Sequence, residues 1–208
     1  MGSGPQPFPE SGVQKDMEAV AALERDAQLM LRVREGDETS FALLLDRHRM
    51  PVIHFLYRMV QNQGVAEELA QEVFLRVYKS RESYEPSAKF TTWMFRIASH
   101  LALNWIRDHK KERHQASLDE DMGDGMERQV SDGKPTIEED LVRQTKLAEI
   151  RRVVDALPEK QRAAVLMHKY EGLDYQQIAR ALECSESALK SILFRAYETL
   201  RLKLALYA

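Results

Sequence analysis

Basic and amide side chains recur at helical steps in two places in this 208-residue chain. Arg96, His100, Asn104 and Arg107, followed by Lys110, Lys111 and Arg113, line one side of a segment whose other side carries Trp93, Ile97, Leu101 and Trp105. Guanidinium, ammonium and amide groups beside aromatic rings suit phosphate contact and base stacking, above all on unpaired bases. An ordinary amphipathic helix with a basic end that complements its dipole has the same spacing. The second place is residues 173–193, "LDYQQIARALECSESALKSIL", two short helices around a tight turn. In a helix-turn-helix the N-terminal part of the second helix enters the major groove. Its outward residues include Ser187, Lys190, Ser191, Phe194, Arg195, Tyr197 and Arg201, and Lys190 and Arg195 could reach bases or phosphates. A helical hairpin without a DNA partner is the plain alternative.

A third set is acidic. In "VAEELAQEVFLRVYKS", residues 65–80, Leu69, Val73 and Val77 form a stripe widened by Phe74. Glu68, Gln71, Glu72 and Lys79 fall on other faces. They fit a solvated helix surface or an acidic docking face for a basic partner.

The elements that position these groups are helices. Apolar residues recur at three- and four-residue steps and strand-like alternation is absent, so the fold class is all-α. A first helix over residues 17–35 stops where Gly36 suits a cap. A second starts near Glu38 or Thr39 with Phe41, Leu44, Leu45 and His48, and Pro51 is expected to interrupt or restart it before Val52, Phe55, Leu56 and Met59. After the helix of residues 65–80, a loop around Pro86 leads to one beginning at Thr91 or Thr92 and ending at Lys111. Near the C-terminus one helix ends at Leu157, and another places Pro158 in its first turn and runs to Gly172. Asp174 with Gln177 predicts a capping box, and Ser185 predicts the N-cap of the last helix. Leu189, Ile192 or Leu193, Ala196 and Leu200 supply that helix's buried side.

Residues 115–145 break the pattern, with three glycines, a proline, and nine carboxylates against Arg128, Lys134 and Arg143. Such a composition cannot bury a core and predicts a flexible linker, whose end opens the next helix through Thr136 and Glu139. The chain divides into a leader (1–24), a helical domain (25–113), an acidic linker (114–137) and a second helical domain (138–206).

A net charge of −3 and a pI near 6.1 are unusual for a free-standing DNA binder. The acidity is local: residues 90–114 and 187–203 each carry about +3, while residues 115–145 carry about −6. Little phosphate-driven affinity is expected of the free protein. The linker is expected to screen the basic surfaces, so neutralising its carboxylates should raise DNA binding. No apolar run approaches the roughly 18 residues of a membrane span, and the N-terminus lacks a secretory signal. Cys184 is the only cysteine and reads as a packed residue rather than a sensor. These features predict a reduced, cytoplasmic protein. No Gly-rich phosphate loop, metal-ligand set or nucleophile motif is present, and His48, His54 and His168 read as packed or solvated. Hence no enzymatic activity, metal or cofactor is expected.

Three segments occur in an order and spacing that resemble a known family: "AEELAQEVFLRVY", "FTTWMFRIASHLALNWIRDHKK" and "LPEKQRAAVLMHKYEGLDYQQIARALECSESALKSILFRAYETLR". They are similar to the extracytoplasmic-function (ECF) sigma factors, the smallest two-domain class of bacterial sigma factors, over most of residues 25–204. The resemblance implies a region 2-like bundle and a region 4-like helix-turn-helix. It implies core RNA polymerase (β′ clamp and β subunits), promoter DNA and an anti-sigma factor as partners, with no insertion into a membrane. Glu68, Gln71 and Glu72 would meet the β′ clamp. Arg96, His100, Asn104, Arg107, Lys110 and Lys111 would recognise and melt the minus-ten element. Ser187, Lys190, Ser191 and Arg195 would read the minus-thirty-five element, and the linker would thread into polymerase channels. Two segments depart from the usual pattern: "RIASH" with Ser99 and His100, and "ALKSILFRAY" with Ile192 and Tyr197 where basic or polar residues are frequent. Two other readings stay open: a stand-alone helix-turn-helix regulator binding duplex operators as a dimer, and a sigma-like mimic that titrates an anti-sigma factor.

Overall fold

The structure, a computed structural model, describes residues 25–86, 88–116 and 147–205, the side chains of 110–116 excepted. The leader, the body of the linker, its Thr136–Glu139 capping box and the start of the first helix lie outside the described residues. Among the described residues there are eight α-helices, one 3-10 turn and no strand, so the fold is all-α.

Helix α1 (residues 25–34) turns through Gly36, whose φ of +95° is open to glycine at little cost, into α2 (Glu38–Val60). Asp37 caps α2, accepting from the Thr39 and Ser40 amides at 2.9 and 3.1 Å. The Ser40 hydroxyl also donates to it at 2.7 Å, and these bonds hold its carboxyl below the usual range. Pro51 does not interrupt α2, contrary to the sequence expectation; the helix continues for 23 residues. Leu44 and His48 before the proline and Val52, Phe55, Leu56 and Met59 after it are all buried. Their burial holds both halves in one register against a proline penalty of about 3 kcal/mol.

A two-residue connection, with Gln61 left-handed at φ 60°, leads into α3 (Gln63–Lys79). Asn62 caps it, accepting from Val65 N–H at 3.1 Å. The 3-10 turn Arg81–Ser83 then leads to α4 (Phe90–Ala116), which packs on both α2 and α3. Its innermost residues are Phe90, Met94, Phe95, Ala98, Leu101 and Ala102. Trp93, Ile97 and Trp105, expected as core, are only half-buried, because the buried stripe lies one residue further round the helix. Asp26 fastens α1 to α2. His48 Nε2 lies 2.9 Å from its carboxylate and Arg47 pairs with the other oxygen. Burial alone would raise the Asp26 pKa, but the hydrogen bond and electrostatic attraction of His48, with those of the Arg47 guanidinium, hold it below the ordinary range.

The second group comprises α5 (residues 147–155), α6 (Glu159–Lys169), α7 (Tyr175–Ala181) and α8 (Glu186–Leu204). Pro158 is the N-cap of α6 rather than its first helical residue, with φ −50° and ψ 142°. The Asp174–Gln177 capping box is complete, each residue accepting from the other's amide at 2.8 Å. Ser185 Oγ accepts from Ala188 N–H at 3.2 Å and caps α8. Leu189, Leu193 and Ala196 form the buried side of α8, so Leu193 rather than Ile192 faces the core.

The two groups pack together and their buried apolar residues form one continuous cluster. Polar contacts edge the seam. Gln61 Nε2 donates to Asp155 Oδ1 at 2.8 Å, Arg162 Nη1 donates to the Met59 carbonyl at 2.9 Å, and the Arg58 guanidinium sits 4.1 Å from the centre of the Tyr170 ring. Burial raises the Asp155 carboxyl despite Arg162 and Arg151. It pushes Glu171 up to about 7, with Arg58 opposing.

Candidate nucleic-acid and polymerase interface

Helix α8 owes its outward face to its buried one. With Leu189, Leu193 and Ala196 inward, Ser187, Lys190, Ser191 and Arg195 are all exposed. Two of the four are locally engaged: Ser187 Oγ lies 3.0 Å from the capping Ser185 Oγ, and Ser191 Oγ donates to the Ser187 carbonyl at 3.1 Å. Neither Lys190 nor Arg195 makes an ion pair among the described residues. Phe194 stands between them, 69% exposed. The surface therefore offers two cations, two short hydroxyls and one aromatic ring on consecutive turns. Cys184 precedes the cap; burial pushes its thiol up, away from the reactive thiolate.

On α4, Arg96, His100, Asn104 and Arg107 follow one side of the helix, as their spacing requires. Asn104 and Arg107 are exposed, and Arg107 Nε lies 3.2 Å from its neighbour Asp108. Trp105 stacks on His109 with ring centres 4.4 Å apart. Lys110 and Lys111 belong to the helix, but their side chains lie outside those described. Arg96 and His100 face the helix-turn-helix. The Glu183 carboxylate pairs with Arg96 through one oxygen and lies 3.3 Å from His100 Nε2 through the other. Between them Ser99, fully buried, donates to the Arg96 carbonyl at 3.0 Å and reaches the Ala181 carbonyl at 3.4 Å. No periodicity within either segment signals this junction, which needs the two groups to be packed.

On α3, Glu68 and Gln71 are exposed and Glu72 is half-buried, with Arg76 Nε 2.7 Å from its carboxylate one turn on. Beside them α2 and α3 enclose a groove of about 730 Å³, lined by Phe41, Leu45, Ile53, Phe74, Leu75 and Tyr78, with Gln71 also contributing to its lining. No sequence pattern signals the groove, because it arises only when two helix faces meet. No group of three or more metal-ligating side chains, and no helix long and apolar enough to cross a membrane, occurs among the described residues.

Residues 44–112 match the family model "Sigma-70 region 2" and residues 147–200 match "Sigma-70, region 4". The chain is 31% identical over 166 residues to the ECF RNA polymerase sigma factor SigX of Bacillus subtilis, covering 79% of this chain and 83% of that protein. The protein belongs to the ECF sigma factors. This sigma factor is also 28% identical over 186 residues to the RNA polymerase sigma-H factor of Pseudomonas aeruginosa, covering 85% and 92% of the two chains. Its fold is shared with the sigma factor RpoE of Bartonella quintana, solved in complex with the anti-sigma factor NepR. The TM-score is 0.62 at 18% identity, with 79% of this chain and 96% of that one covered. The α4 surface falls within the region 2 match and the α8 surface within the region 4 match.

Proposed function

We propose that this ECF sigma factor binds core RNA polymerase through Glu68, Gln71 and Glu72 on α3, against the β′ clamp. Arg96, His100, Asn104, Arg107, Lys110 and Lys111 on α4 recognise and melt the minus-ten element. Ser187, Lys190, Ser191 and Arg195 on α8 read the minus-thirty-five element in duplex DNA. In this scheme residues 25–113 and 138–206 act as two modules joined by the linker 114–137, and 1–24 is a leader. The protein catalyses no reaction itself, works in the cytoplasm where the polymerase is, and is held in check by an anti-sigma factor. The α8 surface is the observation that carries the scheme: a capped helix, with Leu189, Leu193 and Ala196 buried, presenting Lys190 and Arg195 without ion pairs among the described residues. Two cations two turns apart or less suit phosphate oxygens and guanine edges, and an exposed Phe suits a thymine methyl.

Run-off transcription with bacterial core polymerase and a library of promoter fragments tests it. Start-site-specific transcripts appearing only with this protein are expected, and their aligned upstream sequences give the promoter code. Core binding without transcripts would point to a mimic or an inhibited form; neither would point to a stand-alone regulator.

A further inference from the structure

Glu183 occupies an unusual backbone position. It lies in the turn between α7 and α8 at φ 51°, the left-handed region that a non-glycine residue seldom adopts. That conformation directs the chain into α8. In this structure the side chain sits against the polar side of α4, with its two oxygens on Arg96 and His100. These two residues are one helical turn apart and are the first pair assigned above to the minus-ten element. A carboxylate is chemically close to a phosphate diester as a partner: it is anionic, offers two acceptor oxygens and spans a similar bite. We propose that Glu183 is an internal competitor of DNA phosphate. From the turn of the minus-thirty-five reader it closes over the minus-ten reader, so the free sigma factor rests in a clasped state. The proposal rests on the assignment of Arg96 and His100 given above.

Three further observations fit a displaceable contact at the edge of the buried apolar seam that the two groups share. The Arg96, His100 and Glu183 side chains remain 51%, 40% and 48% exposed, so the pairs are partly screened and displaceable. Ser99 donates its hydroxyl both to its own helix and, at the longer distance of 3.4 Å, to the Ala181 carbonyl, so it keeps a partner when the groups separate. Ser187, Lys190, Ser191 and Arg195 are exposed while the clasp is closed. Closure therefore engages Arg96 and His100 and leaves Asn104, Arg107 and the α8 surface presented. Polymerase or an anti-sigma factor that prefers one arrangement would shift the balance by its differential affinity.

The test uses the full chain. The variant Glu183→Gln keeps the side chain's size and the backbone and removes only the charge. Binding of a fluorescein-labelled single-stranded oligothymidylate of roughly 15 nucleotides at low salt is measured for wild type, Glu183→Gln, Arg96→Ala/His100→Ala and the triple variant. Spin labels at Leu75→Cys and Leu202→Cys, on a Cys184→Ser background, report the distance between the two groups. Glu183→Gln is expected to tighten oligonucleotide binding about two- to fivefold, the size of effect exposed ion pairs have, and to add a longer distance population. The gain should vanish on the Arg96→Ala/His100→Ala background. An equal gain on that background would overturn the proposal in favour of a general charge effect, as would unchanged affinity with unchanged distances. The fate of the minus-ten assignment is reported separately: if the triple variant binds the oligonucleotide as tightly as Glu183→Gln, in which the pair is released, that assignment fails and the competition with it, whatever the distances show.

Discussion

Replacing Glu171 by glutamine should make the protein more stable at pH 8 and leave it nearly unchanged at pH 5. Burial pushes the Glu171 carboxyl up to about 7 from 4.5, with Arg58 offsetting part of the effect. Between those two pH values the folded protein holds a proton that the unfolded chain has released. Stability therefore falls as pH rises from about 4.5 and levels off above about 7. At full burial the difference amounts to about 3 kcal/mol. Glu171 keeps part of its surface in water, which reduces the expected effect to about 1–2 kcal/mol. The glutamine amide carries no charge at either pH, so Glu171→Gln should remove this slope. For a chain of this length 1 kcal/mol moves the melting temperature by about 2–4 °C, so the variant should melt roughly 3–6 °C above wild type at pH 8. Thermal melts followed by circular dichroism at 222 nm, at pH 5 and pH 8, measure both arms. Other titrating groups cancel in the difference between the two proteins. Equal melting temperatures at pH 8, or a wild type that melts higher there, would refute burial as the cause.

Other perturbations have separate readouts. Leu193→Ala opens space in the buried side of α8 and should lower unfolding free energy by about 2–5 kcal/mol in urea titration. Gly172→Ala forces a side chain into φ +64° and should lose about 1–2 kcal/mol by the same measurement, although nothing stands within 4 Å of the added Cβ. Lys190→Ala should weaken duplex promoter binding and reduce the slope of log affinity against log salt by about 1, read by fluorescence anisotropy. Glu72→Lys should weaken core polymerase binding in a pull-down while leaving duplex promoter binding of the free protein intact; loss of both would move the polymerase contact elsewhere.

Local signals in the sequence carry through to the structure where they concern one helix and its ends. Asp174 with Gln177, and Ser185, are caps whose chemistry is complete within four residues, and both form as their types dictate. The outward side of α8 follows from 3.6-residue periodicity once Leu189 and Ala196 are inside. Pro51 misleads because propensity is a local quantity, whereas the burial of Phe55, Leu56 and Met59 is decided by packing partners far along the chain. The buried stripe on α4 lies one position away from its tryptophans. Their large rings lie at the edge, half-buried, while Met94, Phe95 and Ala98 fill the centre. Glu183 is legible in the sequence only as a turn residue. Its role depends on Arg96, 87 positions earlier, and nothing in either segment encodes that separation.

The hydrogen bond from Arg162 to the Met59 carbonyl has a consequence during synthesis. The last turn of α2 leaves carbonyls without partners inside the helix, and one of them is met by a guanidinium 103 residues downstream. A ribosome adding about 5–20 residues per second needs roughly 5–20 s to travel from one position to the other. For that interval α2, α3 and α4 must hold together with the end of α2 open to water. Only when α6 emerges does the nascent chain acquire the group that finishes a helix begun more than a hundred residues before.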